Sequence, residues 1–320
     1  MTQGLIVVGD DGSPSSQDAL RWGLEVAGRY GSGLELVRAW EWAPPALDVV
    51  LPDIRDELRA IAERDVRAEL EKVLADRPTG APAVRATARA VEGEAGEVLV
   101  DASTGASLLV VGRHGASAWR RRLPLLGVGI GSVTSACLAR SAVPTVVATR
   151  DAAGTRTPGE PPARIVVGID GSAASIAALR WAVTHAPAFG APVTAVLTWQ
   201  LTTLPAPEMP RTDWSVPPLS AWEDEARQLL TDSVNAACSP DEAARVQRLV
   251  LHRPATAGLL ETVGPDDLLV LGERGRGGFA RLMLGSVTRQ CVEHASCSVV
   301  VVPGSGPHRR VDQTTGTAQP

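Results

Sequence analysis

The chain has 320 residues, of which 44% are hydrophobic and 21% are charged, and its net charge is −5. This length and balance predict a soluble protein of two domains with a proper core, and the negative charge argues against a general nucleic-acid binder. The opening MTQGLIVVGDDGS lacks a basic region and soon reaches a polar turn, so we expect neither a signal peptide nor a membrane span. We therefore expect a cytoplasmic protein with no membrane partner and no nucleic-acid partner.

Two similar halves make up the chain. The stretch IVVGDDGS at residues 6–13 returns as IVVGIDGS at residues 165–172. Later in each half, GSVT occurs at residues 131–134 and again at residues 285–288. These repeats predict two homologous domains.

Composition indicates where the domains begin and end. The stretch DAAGTRTPGEPPA between the halves is rich in Pro, Gly and Ala, which is typical of a linker. The C-terminal stretch has the composition of a disordered tail. We predict a first domain over 1–150, a linker over 151–163, a second domain over 164–303 and a tail over 304–320.

Strands and helices are expected to alternate in each half. In the first half, an apolar strand at 5–9 leads to a turn where Ser13 can cap a helix that ends near Gly31. Strands at 34–40 and 84–90 follow, with a long helix between them. Five strands alternating with four helices predict an α/β fold, an open parallel sheet with helices on both faces in each half.

Three further expectations concern packing. Ile54, Leu58 and Ile61 of the long helix keep helical spacing, so we expect them to face the core. Trp22 and Trp181 occupy matching positions in the two halves, which predicts core or interdomain packing. The last strand of each half is apolar and is expected at a sheet edge, so the two halves should pack against each other there.

A glycine-rich stretch follows the fourth strand of the second half. The apolar run 268–271 leads to Gly272 and Gly275, and Gly285 and Ser286 begin a helix. We expect glycine in this loop to permit positive φ and a close approach of backbone N–H groups to a ligand. The first N–H groups of a helix have no partner within it and carry the positive end of its dipole. The stretch therefore predicts a phosphate site that needs no lysine.

The end of the first strand predicts the rest of the site. Ligands of open parallel sheets bind beyond the carboxyl ends of the strands, where the strand order reverses. Asp11 and Asp170 end the first strand of each half, and Gly112 and Gly272 end the fourth. If these strands are neighbours, the carboxylate can take adenine or ribose hydrogen bonds while the loop holds phosphates. The alternative is that each Asp only forms a turn before a glycine; Asp10 is expected to be a polar strand end.

The glycine pattern carries a family resemblance. Two residues separate Gly272 from Gly275, nine separate Gly275 from Gly285, and Ser286 follows. This pattern resembles the ATP-binding signature of the universal stress proteins, and the tandem arrangement and the VGxDGS openings are also similar to that family. The resemblance implies two tandem doubly wound sheets of strand order 3-2-1-4-5. It also implies a homodimer that binds ATP, with or without Mg²⁺, and has no well-defined catalysis.

The resemblance assigns contacts to individual residues of the second half. Asp170 and the backbone at Thr198 would contact adenine, and the glycines after the fourth strand would contact ribose and phosphate. The N-terminus of the following helix would contact phosphate. The second-half residues implied in nucleotide binding are Asp170, Thr198, Gly272, Gly275, Gly285, Ser286 and Val287.

The first half departs from the signature in one place. Fifteen residues, instead of nine, separate Gly115 from Gly131, so we expect a degenerate loop and a weaker site. A longer flexible connection would loosen the convergence of loop and helix. The matching first-half residues are Asp11, Ala39, Gly112, Gly115, Gly131 and Ser132.

These observations predict a nucleotide-binding sensor or regulator that acts through its ATP state. One alternative is an enzyme of the same architecture, either a slow ATPase or an adenylate-forming enzyme, but no His, Lys or paired acid recurs at the loops to serve it. Another is an interaction module with a vestigial site, especially in the first half. No catalytic or metal-binding residue is predicted, and the four cysteines, which lack CxxC spacing, are expected to be buried thiols.

Overall fold

The computed structural model describes residues 4–42, 52–115, 130–149, 161–201, 218–276 and 284–304. The predicted linker lies outside this part of the chain except for residues 161–163, and the predicted tail lies outside it except for Gly304. Most of the additional first-half loop, residues 116–129, is also outside it.

The first half alternates strands and helices as predicted. The Ser13 hydroxyl accepts a hydrogen bond from Ser16 N and caps the first helix, which ends at Gly31 with a left-handed φ of 63°. The elements are β1 (Ile6–Asp10), α1 (Pro14–Tyr30), β2 (Leu34–Trp40), α2 (Pro52–Ala75), β3 (Ala86–Glu92), α3 (Ala95–Ala102), β4 (Leu108–Gly112), α4 (Ser132–Arg140) and β5 (Thr145–Ala148).

The second half repeats this order with one additional short helix, α7. Ser172 and Gly190 cap its first helix in the same way as their first-half counterparts. The elements are β6 (Ile165–Ile169), α5 (Ala173–Phe189), β7 (Val193–Trp199), α6 (Leu219–Ala237), α7 (Pro240–Ala243), β8 (Gln247–His252), α8 (Ala255–Thr262), β9 (Leu268–Gly272), α9 (Ser286–His294) and β10 (Ser298–Val302).

The ten strands form one sheet in the order β3-β2-β1-β4-β5-β10-β9-β6-β7-β8. Within each half every pairing is parallel and the order is 3-2-1-4-5, which confirms the predicted fold. Between the halves, β5 pairs with β10 in the antiparallel direction, with Val146 opposite Val300. The two sheets are therefore continuous, and the predicted packing of the halves at their last strands is confirmed.

The core lies on both faces of this sheet. Successive strand residues point to opposite faces, so Val8 packs in one buried cluster and Val7 in the other. The prediction of buried thiols is confirmed for Cys137, Cys291 and Cys297, whereas Cys238 is partly exposed.

Aromatic side chains of α1 and α5 join the two halves on one face of the sheet. The ring of Trp22 lies 6.4 Å from that of Phe189, and Tyr30 packs edge-on against Phe189 and His185. The ring of Trp181 stacks on His185 at 4.4 Å. Trp22 therefore contacts the other half directly and Trp181 packs beside the residues that do, and both are buried in the core, in agreement with their predicted packing.

The predicted core-facing stripe of α2 is wrong for its first turns. Leu70 and Val73 are buried, but Ile54, Leu58 and Ile61 are 40%, 37% and 36% exposed. A helix of 24 residues spans about 36 Å, whereas the seven-residue strands beside it span about 23 Å. The helix is therefore longer than the strands beside it, and its first turn lies at the end of β3, where Arg55 pairs with Glu92 at 2.9 Å. No helix among the described residues is both long enough and apolar enough to cross a membrane.

Candidate functional site

A carboxylate stands at the carboxyl end of β6. Asp170 follows β6 directly, and Gly171 then turns the chain with a φ of 76°, a conformation that side chains other than glycine rarely adopt. Asp170 Oδ1 accepts a hydrogen bond from Ser172 N at 2.9 Å, and Oδ2 accepts one from Arg276 N at 2.8 Å. Asp170 therefore forms a turn before a glycine, as the alternative interpretation predicts. Its carboxylate also bonds this turn to the glycine loop.

Hydrogen bonding determines the charge of this carboxylate. Burial raises the pKa of Asp170, but hydrogen bonds with Ser172, Arg276 and Ser175 together outweigh burial and hold that pKa below its usual value. The group is thus ionised at neutral pH and acts only as an acceptor. It suits a ligand that offers N–H or O–H groups.

The loop after β9 lies directly against this turn. A Cβ on Gly272 would lie 2.7 to 2.9 Å from atoms of Ala174, and a Cβ on Gly275 would collide with Asp170 Oδ2. Neither glycine is among those with positive φ, whereas Gly171 is. The expectation of positive φ in the loop is therefore wrong for these two residues, and the requirement for glycine comes from close packing.

The helix after the loop presents its N-terminus to the same place. Gly285 N donates to Glu273 O at 2.9 Å, so the end of the loop returns to its beginning. Gly285 is the N-cap of α9 and makes no side-chain capping bond. The N–H groups of Ser286 and Val287 therefore have no cap from that residue, and together with the helix dipole they suit an anion.

β7 brings Thr198 beside the carboxylate. Ile169 pairs with Leu197 in the β6–β7 register, so Thr198 lies one residue further along, next to Asp170. The Thr198 side chain is directed at α8, because a Cβ on Gly258 would lie 2.7 Å from Thr198 Cγ2. The structure thus groups the predicted second-half residues at the carboxyl ends of β6, β7 and β9 and at the start of α9, with Thr198 beside Asp170.

The first half closes its loop in the same way. Gly131 N donates to Arg113 O at 3.2 Å, as Gly285 N does to its counterpart. Thr134 Oγ1 also donates to Gly112 O at 2.7 Å, and the matching threonine of the second half makes the same bond at 2.8 Å. The ends of the longer loop are therefore held as in the second half, in contrast to the loosening expected from its length.

The remaining first-half residues occupy equivalent places. Asp11 Oδ1 accepts from Ser13 N at 3.0 Å, and a Cβ on Gly115 would lie 2.9 Å from Asp11 Oδ2. Ser132 begins α4 after an N-cap glycine that makes no side-chain bond. Arg38 pairs with Asp10, the last residue of β1, so Ala39 lies one residue further along. Thr198 has the same position beside β6.

A buried ion pair distinguishes the first half. Asp10 is 7% exposed, and its Oδ2 accepts from Arg38 Nε at 2.7 Å and lies against Arg38 Nη2. Its Oδ1 accepts from Ser16 Oγ at 3.0 Å and from Gly12 N at 3.1 Å. The expectation that Asp10 is merely a polar strand end is therefore wrong.

The sequence holds a signal for this pair that strand-by-strand reasoning missed. Asp10 and Arg38 are the two polar residues that face each other when β1 pairs with β2. At the matching register of the second half, Ile169 faces Leu197. A comparison of the two halves position by position, with the strands paired, would have shown one ionic and one apolar pair.

Comparison with known proteins identifies the family. The model of the universal stress protein family matches residues 4–149 and again residues 162–303. The chain belongs to this family. It is a universal stress protein with two tandem domains.

Relatives of similar length support the assignment. A universal stress protein of Mycobacterium tuberculosis is 29% identical over 314 residues, covering 92% of this chain and 95% of that protein. One of Mycobacterium bovis is 34% identical over 303 residues, covering 92% and 96%. A crystal structure of a universal stress protein from Archaeoglobus fulgidus aligns with a TM-score of 0.62 at 16% identity, covering 95% of this chain and 99% of that one. The last match shows the shared fold.

The ion pair of this universal stress protein yields a test of stability. Arg38→Leu would leave the Asp10 carboxylate buried without its partner, so we expect the free energy of unfolding to fall by about 3–5 kcal/mol. The double variant Asp10→Ile/Arg38→Leu copies the apolar pair of the second half, and we expect it to be as stable as the wild type or more so. Urea denaturation followed by circular dichroism measures both. Equal losses in the two variants would contradict the prediction.

Proposed function

We propose that this protein binds ATP in the crevice of its second half and acts as a sensor or regulator through its nucleotide state. The observation that carries the proposal is the hydrogen bond from Arg276 N to Asp170 Oδ2. This bond brings the carboxylate after β6 to the glycine loop, whose far end is joined to the N-terminus of α9. One crevice therefore offers an acceptor for a base or ribose and donors for phosphate.

Each part of the crevice suits a different part of the ligand. The ionised Asp170 and the backbone at Thr198 would meet the adenine, since a carboxylate oxygen can accept more than one hydrogen bond. Gly272 and Gly275 would bring the backbone of the loop to ribose and phosphate, because neither carries a side chain that would hold the loop away from Ala174 and Asp170. The N–H groups at the start of α9 would hold phosphate oxygens. Mg²⁺, where it accompanies ATP, would bind mainly through those phosphates.

Gly275→Val is expected to abolish ATP binding while the fold is retained. Its Cβ would collide with Asp170 Oδ2, so either the carboxylate or the loop must leave its position. Gly264→Val is the control in the same half, because a Cβ there meets no atom closer than 3.8 Å. Isothermal titration calorimetry measures the affinity; unchanged binding by folded Gly275→Val would refute the proposed site. Release of inorganic phosphate during the titration would support the slow ATPase instead.

We further propose that the two sites are unequal, with the second half the stronger binder. The second half carries the glycine signature without interruption, whereas fifteen residues separate Gly115 from Gly131. Since the ends of that loop are held as in the second half, we attribute the difference in affinity to the segment between them and to the charged pair beside Gly12. Arg38 Nη2 lies 3.4 Å from where a Cβ on Gly12 would be.

A pair of matched substitutions tests this inequality. Asp170→Ala should remove most of the high-affinity ATP binding, because it deletes the carboxylate of the intact site. Asp11→Ala deletes the equivalent carboxylate of the first half and should change that binding by less than about twofold. Calorimetric titration of both variants decides the matter. Similar losses from the two substitutions would show that the longer loop is harmless to binding.

We also propose that the chains form a homodimer in the cytoplasm, where ATP is abundant and thiols remain reduced. Membership of the family supports association. Because β5 and β10 are paired within the chain, a second chain must dock on some other surface. Light scattering at micromolar concentration should give twice the chain mass, and a monomer alone would count against this proposal.

A further inference from the structure

One arginine of the first half reaches the C-terminus of α9, the helix whose N-terminus belongs to the candidate site of the second half. Arg113 follows Gly112 at the start of the first-half glycine loop. Its Nη2 donates a hydrogen bond to Ala295 O at 2.5 Å. Ala295 is the C-cap of α9, and its own N–H donates to Cys291 O at 2.8 Å. The first-half loop is thus bonded to the end of the helix whose other end forms the second phosphate site.

The same residue serves both halves through different groups. Its backbone carbonyl accepts the hydrogen bond from Gly131 N that closes the first-half loop. Its guanidinium holds the C-terminus of α9, a helix of nine residues that is about 13 Å long. A displacement of the loop would therefore be passed to the helix through one side chain.

The surroundings of the guanidinium suit this role. Arg113 Nε is buried, and no hydrogen-bond partner for it occurs among the described residues. In the same part of the chain, no carboxylate lies within ion-pair distance of Arg113. Burial lowers the pKa of Arg113, with Cys297 acting in the opposite direction. A buried cation needs compensation, and the negative C-terminal end of the α9 dipole provides it.

Among the described residues of the second half, the counterpart of Arg113 makes no equivalent bond to the first half. Glu273 occupies the position that matches Arg113, and its carboxylate accepts from Gly304 N at 3.2 Å and pairs with Arg274 at 3.1 Å, both within its own half. An ionised carboxylate cannot donate to a carbonyl at a helix C-terminus. Ser141, the C-cap of α4 and the counterpart of Ala295, therefore cannot receive an equivalent bond. The described residues therefore contain one such bond between the halves, from the first-half loop to the C-terminus of α9, without a symmetric counterpart.

We propose that Arg113 is a positioning residue that couples the first-half loop to the ATP site of the second half. The proposal rests on the proposed function of that site. By holding the C-terminus of α9, Arg113 keeps the N–H groups at the other end of the helix directed at the phosphates. A ligand on the first-half loop and ATP on α9 then influence each other equally, because coupling between binding sites is reciprocal.

Three single variants of the full chain test the positioning role. Arg113→Met removes the donor while keeping much of the apolar stem, and it should weaken second-half ATP binding about tenfold, within the usual range of coupling between sites. Arg113→Lys retains a donor and a charge, and it should recover most of the affinity. Arg289→Met removes an exposed arginine from the same helix and should have no effect. Unchanged affinity in Arg113→Met, or an equal loss in Arg289→Met, overturns the proposal.

A double-mutant cycle tests the coupling itself. Gly115→Val disturbs the first-half loop, since a Cβ there would lie 2.9 Å from Asp11 Oδ2. We expect it to weaken second-half binding several-fold when Arg113 is present and to have no further effect in Arg113→Met. Second-half binding is defined as the binding that Gly275→Val abolishes. Equal effects of Gly115→Val in both backgrounds overturn the coupling.

Hydrogen exchange separates this inference from the proposed function. In the ligand-free full chain, Arg113→Met should raise amide exchange in α9 at least several-fold and leave α4 unchanged, because only α9 loses a tether. If the wild type binds no ATP, the proposed function fails, yet the exchange experiment still tests whether Arg113 positions the helix. Unchanged exchange in α9 overturns the inference whether or not ATP binds.

Discussion

The antiparallel pairing of β5 with β10 is the interaction on which the rest of this structure depends. Val146 and Val300 face each other there, and both are fully buried. An unpaired strand edge exposes a row of unsatisfied backbone groups, and this pairing satisfies them within one chain. It also places α1 against α5 and brings Arg113 within reach of Ala295. The contact between the halves, and any communication between their crevices, follows from this one strand pair.

The crevice of each half is formed mainly by backbone that approaches other backbone closely. Gly272 and Gly275 are needed because atoms of Ala174 and Asp170 occupy the space a side chain would require. A ligand site at this place would be preorganised, since its backbone donors are held by the sheet and by the start of a helix and do not depend on flexible side chains. The same hydrogen bond closes the loop in both halves, so a different spacing between the glycines does not by itself change the frame of the site.

The two halves differ in their buried and partly buried charged residues, whereas the backbone of their loops is alike. The pair of Asp10 and Arg38 stands where the second half has apolar side chains, and Arg113 stands where it has Glu273. A buried ion pair of this kind adds little to the stability of the fold, but the loss of one partner is strongly destabilising because the other charge is left buried and unpaired. Two copies of one fold thus keep a common backbone while the charges beside their crevices differ. That difference is one physical basis for the unequal sites proposed above.

The sequence by itself determined what depends on neighbouring residues: the alternation of strands and helices, the caps at Ser13 and Ser172, the glycine loop that leads to a helix, and the repetition of all these. Periodicity and capping are local, so they can be read along the chain. Only the tertiary structure decided that the first turns of α2 are exposed, because burial depends on which elements pack against a helix and not on its periodicity alone. Likewise it paired Asp10 with Arg38, 28 residues apart, and Arg113 with Ala295, 182 residues apart. Those contacts arise from strand register and from the joining of two sheets. A local sequence pattern cannot predict them, because their partners are far apart along the chain.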